Sequence, residues 1–301
     1  MVNFRPPTID PNAALRWQAM RLPESPWLHE EVAQRMQERL DLIKQQPSSW
    51  LHWAPLQGGM QAHGLLLQRY PQAACAALET SSSRVIHVQQ ALQAPWWTTK
   101  RWLQPQTRVV SQVVQPVQML WANMRLHMAA DPQALMAQWH QALQVDGFLM
   151  FSCLGPDSVK ELHDLYQRLG WPAPSHSFTD MHDWGDMLVA AGFAEPVMDM
   201  ERITLTFETP QRLLQELRGL GRNLHVGRFP GLRGRRWHNR LLEALAGLPL
   251  KLTFEVIYGH AYKPAPRLNV GVHSEISLAD MRAALRRSKV AGDIKLAKDE
   301  V

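Results

Sequence analysis

The sequence predicts a doubly wound α/β domain, and three observations carry that prediction. Short apolar runs alternate with helical periods from Ser48 to Gly155. Most of those runs are apolar throughout, as strands buried on both faces are. The segments between them are long enough for crossover helices, so the strands should be parallel and each crossover right-handed. Ligands of such sheets bind beyond the carboxyl ends of the strands, where strand order reverses.

The elements follow in order. Residues 1–24 show no clear period and read as an N-terminal arm. "SPWLHEEVAQRMQERLDLIKQQP" predicts a helix, with Ser25 as cap and Pro26 in the first turn. Leu28, Val32, Met36, Leu40 and Ile43 share one face, and Pro47 ends the pattern. "SWLHWA" predicts a strand, "MQAHGLLLQRY" a helix with Leu65, Leu66 and Leu67 inward, and "AACAALE" a second strand. "TRVVSQVV" and "VQMLWANM" continue the sheet. "DPQALMAQWHQAL" is a helix capped by Asp131 with Pro132 at its first turn, and "DGFLMFSCLG" a turn followed by a strand.

Beyond Gly155 the pattern changes. "PDSVKELHDLYQRLG" predicts a helix ending at Gly170, and "DMHDWGDMLVAAGF" another closed by Gly192. "EPVMDMERITLTFET" and "LKLTFEVIYGHAYKP" are long strands, separated by helices over Pro210–Leu220 and roughly Trp237–Leu245. The tail after Pro266 is polar, with a short helix capped by Ser277. The expected organisation is the arm, a main domain over 25–265 with lid or insert elements about 156–180 and 209–248, and the tail 266–301.

Composition narrows the function classes. The 301 residues are 46% hydrophobic and 20% charged, which suits one large α/β domain or two small ones. The net charge of +5 suggests acidic partners without establishing nucleic-acid binding. No apolar run approaches the roughly 20 residues of a membrane span, and "MVNFRPPTID" has no secretory h-region. Cys75 and Cys153 lie in apolar strand runs, which suggests reduced thiols in a cytoplasmic protein. No CxxC or HExxH occurs, so no metal site is expected. Three of the twelve tryptophans fall in "PWWTTKRWLQP", either packed on the domain or forming a contact surface.

Candidate site residues gather at strand ends. Gly58 and Gly59 follow the first strand, where a turn must bring backbone close to a ligand. Glu79 ends the second strand and is the only acid between Leu42 and Ala130. There a carboxylate can accept hydrogen bonds from ribose hydroxyls; alternatively it caps "TSSSR". His127 follows the fourth strand, to steer a substrate carboxylate or to satisfy loop carbonyls. "DMHDWGD" sets His182 among three acids; Asp180 as helix cap explains the spacing better than a metal set. Seven arginines and no acid fall in Arg218–Arg240: a solvated face, a surface for an acidic protein, or an RNA contact. No RNP, KH or zinc-finger signature supports RNA.

The blocks "LWANMRLHM", "DPQALMAQWHQALQVDGFLMFSCLGPDSVKELHDLY" and "FTDMHDWGDMLVAAGFAEPVMDMERITLTFET" resemble class I S-adenosylmethionine-dependent methyltransferases. Within that class they are most similar to the malonyl-acyl-carrier-protein O-methyltransferase family of biotin synthesis. The resemblance runs from about Trp27 to Tyr262 and is specific over Leu120–Phe207. It implies a Rossmann-like seven-stranded sheet, ordered three-two-one-four-five-seven-six with the last strand antiparallel, plus a helical lid. Cys75 and Cys153 would then lie roughly 14 Å apart, at ~4.8 Å per strand, too far for a disulfide.

The resemblance also implies roles. Gly58 and Gly59 would cradle the methionine end of S-adenosylmethionine, and Glu79 would hold its ribose. Asn123 and Leu126 would border the methyl group, with His127 and His182 beside the substrate. The Arg218–Arg240 run would meet an acyl carrier protein. The chain departs from the family after the first strand, where an acid and alternating glycines are usual. Here "HWAPLQGG" has no acid at His52, Trp53 or Ala54 and a non-glycine at Leu56; Pro55 removes a donor. Losing the acid costs the cofactor's ammonium a bond worth about 1.5–3 kcal/mol. The acid usual before the fourth strand is replaced by "PVQML". The rival reading these departures raise is a non-catalytic relative that keeps the fold and a partner surface.

Overall fold

A computed structural model describes residues 9–20, 24–92 and 107–266. The tryptophan-rich stretch Pro95–Pro105 and the helix expected after Ser277 lie outside them. Met1–Pro264 forms one compact unit and Ala265–Val301 a second; the fold that follows is that of the first.

Among the described residues the strands are β1 (Ser49–Trp53), β2 (Ala74–Leu78), β3 (Arg108–Val110), β4 (Val117–Ala122), β5 (Leu143–Leu154), β6 (Ala194–Thr206) and β7 (Lys251–Tyr262). They form one sheet in the order β3-β2-β1-β4-β5-β7-β6. β1 to β5 pair parallel, and β7 inserts antiparallel between β5 and β6. The order reverses between β1 and β4, so the crevice opens beyond Trp53 and Ala122.

The helices are α1 (Pro11–Ala19), α2 (Trp27–Glu38), the single turn α3 (Pro55–Gly58), α4 (Met60–Arg69), α5 (Ser82–Leu92), α6 (Pro132–Ala142), α7 (Lys160–Arg168), α8 (Met181–Ala190), α9 (Pro210–Leu220) and α10 (Arg235–Ala246). Two cores cover the two faces of the sheet. Trp50, Met119, Phe148 and Phe254 meet Leu28, Val32 and Met36 of α2 and Leu66 of α4. Their strand neighbours Leu51, Leu120, Leu149 and Ile257 point the other way, onto Trp139 of α6 and Trp184 and Leu188 of α8. This alternation on fully buried strands explains why both faces read as apolar.

Several local expectations change. Ser25 does not cap α2: Pro26 holds the cap position, and the Ser25 hydroxyl instead accepts the Met60 N–H at 3.0 Å. On α4 the fully buried positions are Ala62, His63 and Leu66; Leu65 and Leu67 are half-buried. β5 begins at Leu143, ahead of the expected turn, because Asp146 at φ +62° takes up a register shift opposite β4. α10 starts two residues before Trp237. The arm contains α1, which periodicity did not show. Asp10 caps it by accepting the Asn12 N–H at 2.8 Å, Pro11 fits its first turn, and Ala14 and Trp17 are buried.

Candidate active site

The crevice is built from three strand ends. After β1 the backbone turns through Ala54 at φ +53° into α3, then through Gly59 at φ +113° into α4. Glu79 follows β2, and Asn123, Met124 and Arg125 follow β4. Met124 also takes a left-handed conformation, at φ +51°.

The protein's own atoms use the groups at these ends. A Cβ on Gly58 would lie 3.2 Å from both the Asn123 carbonyl and the His52 Nε2, and one on Gly59 would lie 2.8 Å from the Glu30 carboxylate. Glu30 comes from α2 and accepts the Gln61 and Ala62 N–H groups at 3.2 and 3.3 Å. It thereby takes the anion position at the N-terminus of α4. An acid does stand at this turn, then, but α2 supplies it, and no spacing within the turn could reveal that.

Glu79 is buried and accepts the Leu56 N–H at 3.1 Å. Burial pushes its carboxyl pKa up, against the pull of that bond and of Arg84 and Arg125 nearby. Arg125 is half-buried and donates to Gln57 Oε1 at 3.0 Å. Burial, reinforced by Arg84, brings it down to about 10. Asn123 donates to the His29 and Gly58 carbonyls at 2.7 and 2.5 Å and accepts from the Ser152 hydroxyl at 2.5 Å, so it ties β4, β5, α2 and α3 together. Leu126 is wholly buried.

Next to the crevice lies a cavity of about 290 Å³, walled by Leu162, Tyr166, Phe178, Leu214, Leu241 and Phe254. α7, α9 and α10 therefore roof the carboxyl ends of β4 and β5. His127 and His176 line it. His176 donates from Nε2 to the His127 carbonyl at 2.8 Å. Burial lowers its pKa to about 4, so at neutral pH its Nδ1 carries a lone pair. Burial, with His176 nearby, holds His127 well below the usual imidazole range too. Neither Nδ1 has a hydrogen-bond partner. Sequence reasoning missed His176, which stands alone in the loop "WPAPSHSF" with no periodic signal around it.

Of the remaining candidates, His182 lies apart from this cavity, whereas Arg218 and Arg222 of the arginine run line it. His182 is 80% exposed in its side chain and sits at the start of α8, where Asp180 accepts both its backbone N–H and its ring Nδ1–H at 2.8 Å. Among the described residues no group of three potential ligands could hold a metal. Within the arginine run, Arg228 pairs with Asp10 at 2.6 Å, and Arg233 lies over the rings of Trp237 and Phe229 at 4.4 and 4.7 Å. Arg218, Arg235 and Arg236 are exposed.

Sheet order, antiparallel last strand and roofed crevice define a class I methyltransferase. The fold agrees with a candidate methyltransferase from Bacillus halodurans at TM-score 0.52 and 11% identity, over 77% of this chain and 100% of the other. No family model matches the chain. The malonyl-acyl-carrier-protein O-methyltransferase of Gallionella capsiferriformans is 40% identical, over 80% of this chain and 86% of its own. That of Laribacter hongkongensis is 36% identical, over 80% and 84%. The chain belongs to the malonyl-acyl-carrier-protein O-methyltransferase family.

The family implies S-adenosylmethionine, and the crevice as it stands does not fit it. Leu56, Gln57 and Arg125 fill the turn, Glu79 is committed to Leu56, and Glu30 holds the helix terminus.

Proposed function

We propose that this protein methylates the free carboxylate of a malonyl group held on an acyl carrier protein, with S-adenosylmethionine as methyl donor, in biotin synthesis in the cytoplasm. The observation that carries the reading is the kinship over four-fifths of the chain to relatives named for this reaction. The cavity supports it. Converting a carboxylate to an ester removes a charge, and an apolar chamber with neutral histidines favours the uncharged product over the anion. His127 is the cavity group that meets the substrate, and Asn123 positions the strand end beside it; His182, at the exposed start of α8, stands outside the cavity. Gly58, Gly59, Glu79 and Leu126 border the donor only once the crevice opens.

The carrier protein docks on Arg218, Arg235 and Arg236. They are exposed beside the cavity roof and, among the described residues, have no ion-pair partner. An acidic carrier suits such a face better than RNA does, because the run carries no RNP, KH or zinc-finger signature. Among the described residues no helix is long and apolar enough to cross a membrane.

The test is an intact-mass measurement of malonyl carrier protein incubated with this protein and S-adenosylmethionine. One added methyl is expected on malonyl carrier and none on acetyl carrier. Methylation of both, or of neither, sinks the substrate assignment. Reversing Arg235 and Arg236 to glutamate should lower carrier affinity at least tenfold and leave the fold intact.

A further inference from the structure

Trp17 is buried where the crevice should be open. Its cluster contains Leu56 from the turn after β1, Ala77 of β2, Val88 of α5 and Met128 from the segment after β4. These are the carboxyl ends of the strands at the switch point, the place a ligand takes in a doubly wound sheet. α1 therefore lies across the crevice with an aromatic side chain inserted, while Glu30 supplies a carboxylate at the α4 terminus.

Both ends of α1 are tethered. At its start, the Asp10 N–H donates to the Leu224 carbonyl at 2.8 Å, Asp10 pairs with Arg228 at 2.6 Å, and Ile9 bridges His225. At its end, Arg84 donates to the Trp17 and Met20 carbonyls at 3.3 and 2.9 Å. Arg222 lies over the Trp17 ring at 5.5 Å. Arg222 and Asn223 also wall the apolar cavity. The segment 222–228 thus holds α1 on one side and bounds the cavity on the other.

We propose that α1 is a removable plug: Trp17 closes the donor crevice, and release of α1 from the 222–228 segment opens crevice and cavity together. The proposal rests on the methyltransferase reading, since it names what regulates that same site. None of these tethers is a hydrogen bond of the sheet, so the closed form can give way without unfolding it.

Calorimetry with S-adenosylhomocysteine tests it on three full-length proteins: unsubstituted, Trp17→Ala and Asp10→Ala. The second variant loosens only the start of α1 and serves if removal of the indole impairs folding. At least tenfold tighter binding is expected in a folded variant. Faster hydrogen exchange of the Ala14–Trp17 amides is expected when ligand saturates the unsubstituted protein. Equal affinity in all three, or saturation with α1 still protected, overturns the plug. Methyl transfer to malonyl carrier, read by mass, separates the two failures. If transfer persists with equal affinities, only the plug falls. If neither transfer nor binding occurs in any of the three, the methyltransferase reading falls with it.

Discussion

At Ala54 the chain turns out of β1 with φ +53°, a conformation that costs a residue bearing a Cβ about 1–2 kcal/mol. The carbonyl of Ala54 still starts α3, accepting the Gln57 and Gly58 N–H groups at 3.1 and 2.9 Å. A backbone conformation that favours glycine is thus held here by an alanine. Ala54→Gly should therefore stabilise the protein by up to about 1 kcal/mol, the relief exceeding glycine's added unfolded-state entropy. The urea midpoint should rise with an unchanged slope. A fall would mean that the Ala54 methyl, packed beside Leu51 and Leu78, matters more than the strain. This is also where sequence reading stops: alanine is no signal for positive φ, so the turn's geometry was legible only through Gly58 and Gly59. Glu79 was legible as the one acid of its region. That it would accept from Leu56 was not, because the contact spans 23 residues with no periodic relation.

The helices show the same contrast with one shared motif. α6 and α1 both start with Asp-Pro, and both aspartates cap. For α6 the apolar periodicity of Leu135, Met136 and Trp139 made the motif readable. For α1 the buried residues are two alanines and one tryptophan, too thin a stripe to stand out, and the cap signal alone went unread. Asp131→Ala removes the acceptor of the Ala134 N–H at 2.9 Å and should cost about 1 kcal/mol, measured by urea unfolding. No measurable loss would show that the fixed start at Pro132 suffices. The strands were legible almost throughout, because continuous apolar runs on a parallel sheet leave little ambiguity. The roof was legible as helices but not as a chamber, since cavity walls come from four separated segments.

At the scale of the whole molecule, buried histidines set the response to acid. Burial brings His29, His63, His176 and His260 from 6.5 down to about 4. Between those values the unfolded chain binds more protons than the folded one, so stability is full above pH 6.5 and falls as pH drops toward 4. Glu79 and Glu255, raised by burial, act in the opposite direction, two groups against these four. Urea midpoints taken from pH 7 to 4 should fall steadily, each pKa unit of one histidine being about 1.4 kcal/mol. A flat profile would place those imidazoles in contact with water. The four do not form one cluster: His29 donates from Nδ1 to the Gln57 carbonyl at 2.6 Å, His63 packs on Trp50, and His260 lies against Tyr262. Acid sensitivity is thus gathered on the α2 and α4 face of the sheet, where the ring partners Trp50, Phe148, Phe178 and Tyr262 pack.

β7, the last strand among the described residues, lies between β5 and β6. During synthesis β6 must wait without a hydrogen-bonding neighbour until Tyr262 has cleared the ribosome, and a chain stopped before Lys251 would leave its thirteen residues unpaired. Translation itself thus withholds completion of the sheet until β7 emerges, and a stop between β6 and β7 would release a sticky fragment for the cell's quality-control machinery to remove.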